Sequence, residues 1–99
     1  MLSLFEAKAS GDDSDRNKLA RLFKKKIQVY VNSKELQNRN AFCNVYIEMA
    51  YQHQRGIVKS IKTQGNRELC QVSKKAIKVG TSHKYPFRDK YLRLHIKMK

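Results

Sequence analysis

The positive charge of this chain is concentrated after residue 15, and this charge limits how large a hydrophobic core the fold can have. Residues 16–99 contain 21 lysines and arginines but only four acids, which leaves a net charge of +17; residues 1–15 contain one lysine and four acids, which leaves −3. Like charge at this density opposes folding unless an anion neutralises it. Because 40% of the residues are hydrophobic, we still expect one folded domain over residues 1–99, with a thin core.

The strongest local pattern predicts a helix that starts near Asp15. The acids before it can cap the positive amino end of such a helix. Apolar residues then recur at helical spacing: Leu19, Leu22, Phe23 and Ile27. The β-branched residues of segment 27–31 predict that the helix gives way to a strand. Alternation at residues 2–5 favours a short edge strand, so residues 1–15 are interpreted as an acidic start made of that strand and a helix cap.

Two segments alternate apolar and polar residues with the period of two that is typical of half-buried strands. The apolar face of the first is formed by Cys43, Val45, Ile47 and Met49, and that of the second by Leu92, Leu94, Ile96 and Met98. A turn at residues 52–56 predicts that the first segment pairs with a returning strand at residues 57–62.

Residues 67–79 favour a second amphipathic helix that Gly80 ends, although Val72 and Ile77 would also suit strands. These elements together predict a small α+β fold, a mostly antiparallel sheet with two helices packed on one side. The expected core consists of apolar residues at the inward positions of these elements: Leu19, Leu22, Phe23, Val45, Ile47, Leu69, Val72, Leu92, Leu94 and Ile96.

The two cysteines, Cys43 and Cys70, are too few for a disulfide-dense secreted scaffold. No apolar run resembles a signal peptide, and no stretch approaches the roughly 20 apolar residues of a membrane span. We therefore expect a cytoplasmic protein with reduced thiols and no membrane contact. A disulfide between the two cysteines stays open, because sequence cannot place them within bonding distance.

The cations predict a surface that binds a polyanion, and nucleic acid is the simplest such partner. Lysines outnumber arginines, which favours contacts with phosphate over readout of base edges. The predicted RNA-binding residues fall in clusters along the chain: Lys24, Lys25, Lys26, Lys59, Lys62, Arg67, Lys74, Lys75, Lys78, Lys84, Arg88 and Lys90. Five aromatic residues are candidates for stacking on unpaired bases: Tyr30, Tyr46, Tyr85, Phe87 and Tyr91.

Catalysis has little support in the sequence. His53, His83 and His95 have no carboxylate at a diagnostic spacing. A zinc site made from the two cysteines and two histidines would lack any known ligand spacing. We therefore expect no enzymatic activity, no cofactor, no metal and no small-molecule substrate. A small basic ribonuclease toxin that uses His53 or His83 remains a third alternative.

Three short motifs carry a resemblance to a known family: Phe-Lys-Lys-Lys-Ile-Gln-Val at residues 23–29, Val-Tyr-Ile-Glu at residues 45–48, and Tyr-Leu-Arg-Leu-His-Ile at residues 91–96. In this order they resemble the eukaryotic large-subunit ribosomal protein number twenty-two family, of which this chain would be a divergent and compact member. The resemblance implies a structural constituent of the cytoplasmic ribosome, with ribosomal RNA and neighbouring ribosomal proteins as partners. It implies that residues 24–26, Lys74, Lys75 and Lys78 contact RNA backbone. The chain departs from the family in its shorter second helix, its loop at residues 34–40, which is not glycine-rich, and its lack of tryptophan.

A second resemblance involves residues 72–78, Val-Ser-Lys-Lys-Ala-Ile-Lys, which are similar to the start of the last helix in double-stranded-RNA-binding domains. It implies a stand-alone RNA-binding module in which the same lysines span phosphates. Gly80 departs from that pattern, because the helix should continue for about three turns.

Overall fold

A sheet of four antiparallel strands in the order β3-β2-β1-β4 packs one face against two helices. The computed structural model describes residues 12–36, 40–84 and 89–97. The elements in it are α1 (Lys18–Asn32), β1 (Phe42–Gln52), β2 (Arg55–Gly65), α2 (Arg67–Lys75), β3 (Ser82–Lys84) and β4 (Tyr91–Lys97). The predicted α+β fold, with two helices on one side of a mostly antiparallel sheet, is confirmed.

Helix α1 begins after Asn17, whose side-chain oxygen accepts a hydrogen bond from the Ala20 N–H at 3.0 Å. A short 3₁₀ helix, Asp13–Asp15, precedes it, so the predicted start near Asp15 is three residues early. The prediction that segment 27–31 is a strand is wrong. Those residues continue α1, because Ile27 and Val31 extend the buried stripe of the helix by one residue every turn.

The β1–β2 hairpin confirms the predicted pairing of the two central segments. Its two-residue turn consists of His53 and Gln54, which have φ angles of 52° and 65°. Two consecutive residues with positive φ make a turn whose twist matches that of the strands it joins. Both strands are 11 residues long and extend beyond the predicted segments.

Helix α2 begins after Asn66, whose side chain accepts a hydrogen bond from the Leu69 N–H at 2.9 Å. The predicted helix to Val79 is too long, because α2 ends at Lys75. After it the backbone bonds to β2 instead: the Gly80 N–H donates to the Val58 carbonyl at 2.7 Å, and Thr81 accepts from the Val58 N–H at 3.0 Å. This pairing leads the chain into β3, which the sequence did not predict.

The core lies between the helices and the inward face of the sheet. Most of the predicted core is buried, but Leu22 is 47% exposed and Val72 is only partly buried, so the prediction for Leu22 is wrong. The inward stripe of α1 includes Leu19 and Phe23, and Leu22 lies on another side of the helix. The buried apolar residues are Leu19, Ala20, Phe23, Ile27, Val31, Ala41, Cys43, Val45, Ile47, Met49, Val58, Leu69, Cys70, Ile77, Leu92, Leu94 and Ile96.

A disulfide joins Cys43 on β1 to Cys70 on α2 inside this core. The expectation of reduced thiols is therefore wrong. Strand β1 directs Cys43 toward the helices, and the first turns of α2 bring Cys70 over it, with 5.3 Å between the Cα atoms. That separation lies in the range that a disulfide spans without distortion of the backbone. No spacing in the sequence contains this information.

Two acids of the predicted acidic start lie along the outer edge of β4. The Asp12 carboxylate accepts a hydrogen bond from the His95 N–H at 3.0 Å, and Asp13 accepts one from the Arg93 N–H at 2.9 Å. Asp12 also accepts a hydrogen bond from the Lys24 ammonium at 2.6 Å. Both acids therefore satisfy donors of an edge strand, and Asp12 in addition caps the 3₁₀ helix. The edge strand predicted at residues 2–5 lies outside the described residues.

Substitution of Asp12 by asparagine should reduce the stability of the fold at neutral pH. Burial alone would raise the pKa of Asp12, but hydrogen bonds from Lys24, Ser14 and the His95 backbone outweigh it and lower this pKa to about 2. Because the folded pKa is below the ordinary value of 3.8, the carboxylate stabilises the fold above that value, and this contribution is lost as the pH falls toward 2. With Lys24 partly exposed, we expect a loss of about 1 kcal/mol at pH 7.

Urea unfolding of Asp12→Asn at pH 7 and at steps between pH 4 and pH 2 would measure this effect. The variant should show a flatter pH dependence in that window than the unsubstituted protein. Asp15→Asn is the matched control, since it removes the same charge from an exposed side chain one turn away. Equal losses in the two variants would mean that only net charge matters.

Candidate anion-binding surface

The predicted RNA-binding cations are spread over several parts of the molecule. Lys25 and Lys26 on α1 and Lys75 on α2 line one groove between the helices, and they are called the groove lysines below. Lys74 and Lys78 are exposed at and after the end of α2, and Arg67 is exposed at its start. Lys59 and Lys62 lie on β2, Lys84 on β3 and Lys90 before β4, whereas Arg88 is outside the described residues.

Some of these cations already have partners within the protein. Lys24 pairs with Asp12, and Lys59 lies 3.8 Å from the Glu48 carboxylate across the hairpin. The Lys90 ammonium lies over the Tyr91 ring at 5.5 Å from its centre. Lys24 is therefore the predicted contact least available to an external anion, because its ion pair is short and partly buried.

The groove between α1 and α2 combines cations with exposed apolar side chains. It has a volume of about 690 Å³ and is lined by the groove lysines together with Leu22, Val29, Tyr30, Ser33 and Ala76. Leu22 and Val29 are 47% and 63% exposed. No acid lines this groove among the described residues. The sequence did not predict it, because Leu22 was assigned to the core and Val29 to a strand.

The face of the sheet opposite the helices carries a row of cations around one aromatic ring. Tyr46 on β1 pairs in register with Lys62 on β2 and with Arg93 on β4. Beside this row, the His95 ring stacks on Phe42 with 5.5 Å between ring centres and bonds to the Asn44 side chain at 2.7 Å.

The predicted stacking residues lie on different parts of the molecule. Tyr46 and Tyr91 lie on the open face of the sheet, whereas Tyr30 lies on α1 with the Lys34 ammonium 4.7 Å from its ring centre. Tyr85 and Phe87 are outside the described residues. Phe42 and Arg93 also lie on this face. The alternation in the last segment predicts an exposed basic face that includes Arg93, but neither residue was among the predicted RNA contacts.

The histidines do not form a catalytic pair. His83 on β3 and His95 on β4 belong to strands at opposite edges of the sheet, and His53 is in the hairpin turn. Burial lowers the pKa of His83, and the nearby charges of Lys26 and Arg55 lower it further. In the part of the chain that the structure describes, no three His, Cys, Asp or Glu side chains converge as a metal site would require.

Neither helix in residues 12–36, 40–84 and 89–97 has the length and apolar character needed to cross a membrane. The ribosomal and double-stranded-RNA-binding resemblances stay predictions, since no finding tests either of them. Comparison of the chain with protein-family models, with curated proteins and with solved structures found no match.

Proposed function

We propose that the domain is a non-enzymatic binding module that holds an acidic protein partner on its lysine surface. One observation carries this proposal, a set of exposed lysines on and next to the helices with no ion pair among the described residues: Lys25, Lys26, Lys74, Lys75 and Lys78. Carboxylates brought to this surface would relieve the repulsion between the lysines and would steer the partner to it.

The disulfide favours an acidic protein over RNA as the partner. Disulfides persist in oxidising compartments and are rare in the cytosol, where glutathione and thioredoxin keep thiols reduced. The cytoplasmic location remains a prediction, but one argument for it was reduced thiols, and Cys43 and Cys70 are bonded to each other. A partner in an oxidising compartment fits this chemistry better than ribosomal RNA does.

Binding of RNA, including the predicted role in the large ribosomal subunit, is the second candidate function. The open face of the sheet favours it, because Tyr46 lies between Lys62 and Arg93. A ring between two cations suits a stacked base with its phosphates, as on other four-stranded sheets that bind single-stranded RNA. The resemblances to the ribosomal family and to double-stranded-RNA-binding domains instead imply that Lys74, Lys75 and Lys78 contact the phosphates.

Two charge-reversal variants separate these candidates. Lys25→Glu, Lys26→Glu and Lys75→Glu combined should weaken binding of a labelled polyglutamate about tenfold or more, because three attractive charges become repulsive. The matched control reverses Lys59, Lys62 and Lys84, which changes the net charge equally on the sheet. We expect it to weaken polyglutamate binding by less than about threefold. Fluorescence anisotropy at low and moderate salt measures both, and affinity should fall as salt rises.

Equal losses in the two variants would contradict a dedicated helical surface. The same titrations with a single-stranded RNA test the second candidate. RNA binding that depends on the sheet lysines and on Tyr46, but not on the groove lysines, would favour RNA as the partner. Cleavage of the RNA during these titrations would instead favour the ribonuclease alternative.

A further inference from the structure

Helix α1 has a second apolar stripe that the fold of this chain does not use. Its inward stripe, which includes Phe23 and Ile27, is fully buried against the sheet. Leu22 and Val29 lie on a different side of the same helix and remain 47% and 63% exposed in the groove beside α2. A helix face that only contacts water usually carries polar residues, so two large apolar residues two turns apart on this face are unexpected.

The spacing of this stripe is that of a helix-packing seam. The residues of α1 that line the groove include Leu22, Lys26, Val29 and Ser33, which follow one another at intervals of four, three and four residues. Helices that pack side by side contact each other at such intervals. At a rise of 1.5 Å per residue the stripe is about 16 Å long, which is the length of three helical turns.

The charges at the groove determine what can occupy it. Lys25 and Lys26 stand on the α1 wall and Lys75 on the α2 wall, so an occupant between the helices has cations on both sides. None of the described lining residues is an acid. The aliphatic stems of these lysines can cover apolar surface while their ammonium groups stay in water. An occupant with an apolar stripe and carboxylates on both flanks therefore matches the groove.

We propose that the groove between α1 and α2 binds the apolar stripe of an acidic amphipathic helix that belongs to a partner protein. This inference rests on the proposed function and specifies the form of the acidic partner. The helix would lie along α1, cover Leu22 and Val29, and direct its flanking carboxylates to the groove lysines. Recognition of an amphipathic helix in a groove uses anchors one turn apart, which is the arrangement that this seam offers.

The test uses the complete oxidised chain and a synthetic peptide of about 18 residues as the probe. The peptide has leucines at helical spacing on one face and glutamates on both flanks; the control peptide has the same composition in shuffled order. We expect the patterned peptide to bind at least about tenfold more tightly than the shuffled one by anisotropy. It should become helical on binding by circular dichroism, since only the helical form aligns its leucines.

A pair of neutral substitutions tests the location of binding. Val29→Gln should weaken binding of the patterned peptide about fivefold to tenfold, because it removes an apolar anchor without changing the charge. Val79→Gln is the matched control: Val79 is 61% exposed and does not line the groove. It should leave the affinity unchanged. Both side chains are exposed, and the circular-dichroism melts of both variants should match that of the unsubstituted protein.

The remaining outcomes separate this inference from the proposed function. If the shuffled peptide binds as well as the patterned one, the proposal of an acidic partner is supported and the proposal of a helix in the groove is contradicted. If neither peptide nor polyglutamate binds, both ideas fail. Binding to anionic lipid vesicles that Val29→Gln abolishes, without peptide binding, would replace the helix by a lipid. A dimer in sedimentation that Val29→Gln dissolves would assign the groove to a second copy of the chain.

Discussion

Replacement of Phe23 by alanine should lower the free energy of unfolding by about 3–5 kcal/mol, which is the usual cost of deleting a fully buried phenyl ring. Phe23 is fully buried and lies at the centre of the inward stripe of α1. The edge of its ring meets the His83 ring, with 5.0 Å between the centres and 85° between the planes. The substitution therefore leaves a cavity and also removes the contact that joins α1 to β3. Urea unfolding at pH 7 measures the loss.

Leu22→Ala is the matched control for this prediction. The two residues are neighbours in sequence and of similar hydrophobicity, but Leu22 is half exposed in the groove. We expect the control to cost less than about 1 kcal/mol, the range of substitutions outside the core. A loss for Leu22→Ala as large as that for Phe23→Ala would show that the groove side of α1 is the buried side, in contradiction to the structure.

Reduction of the disulfide should lower the free energy of unfolding by about 3.5 kcal/mol. The bond joins residues 27 positions apart, and closure of a loop of that size restricts the unfolded chain by about this amount. For a chain of this length, that loss corresponds to a fall in melting temperature of about 14–28 °C. Self-repulsion between the lysines also opposes the compact state, so this contribution helps to offset it.

The measurement compares thermal and urea unfolding of the oxidised protein, the reduced protein and the Cys43→Ala, Cys70→Ala double variant. The reduced protein and the double variant should melt at similar temperatures, well below the oxidised form. The double variant is a useful second measurement because it cannot reoxidise. An unchanged midpoint on reduction would mean that packing alone holds α2 against β1, and that the bond contributes nothing to stability.

The elements that sequence predicted well are those whose pattern is local and repeated. The strands at the two alternating segments and the first turns of α1 depend on periods of two and 3.6, which packing against one core face imposes on a chain. The prediction that the helix changes to a strand at residues 27–31 was wrong because β-branched residues favour strands when no tertiary contacts are considered. In this protein Ile27 and Val31 lie on the inward stripe of a helix, and their burial outweighs that preference, whereas Val29 lies exposed in the groove.

The features that sequence did not predict depend on contacts between distant residues. Strand β3 is only three residues long, which is too short for any alternation to be visible. The early end of α2 follows from the hydrogen bonds that Gly80 and Thr81 exchange with Val58. The disulfide likewise requires that β1 and α2 be placed side by side, which neither segment encodes alone.

The candidate site could be predicted only as a set of residue types. The sequence identified the groove lysines as anion contacts, but it also gave the same weight to Lys24, which is paired with Asp12. It assigned Leu22 to the core because residues 19, 22, 23 and 27 all fall at helical spacing. Spacing alone does not show which side of the helix faces the sheet. Only the packing of α1 on the sheet shows that the side with Phe23 is buried and that the side with Leu22 becomes the exposed seam.

The position of Asp12 and Asp13 on the β4 edge bears on how the protein avoids strand pairing between copies. Charge repulsion between copies keeps a strongly basic chain apart, but a bound acidic partner would cancel much of that repulsion. Strand edges would then be the surfaces at risk, since unpaired N–H groups can recruit a strand from another copy. At β4 the N–H groups of Arg93 and His95 already donate to these two carboxylates. The protection of this edge is therefore built into the fold and does not depend on the net charge.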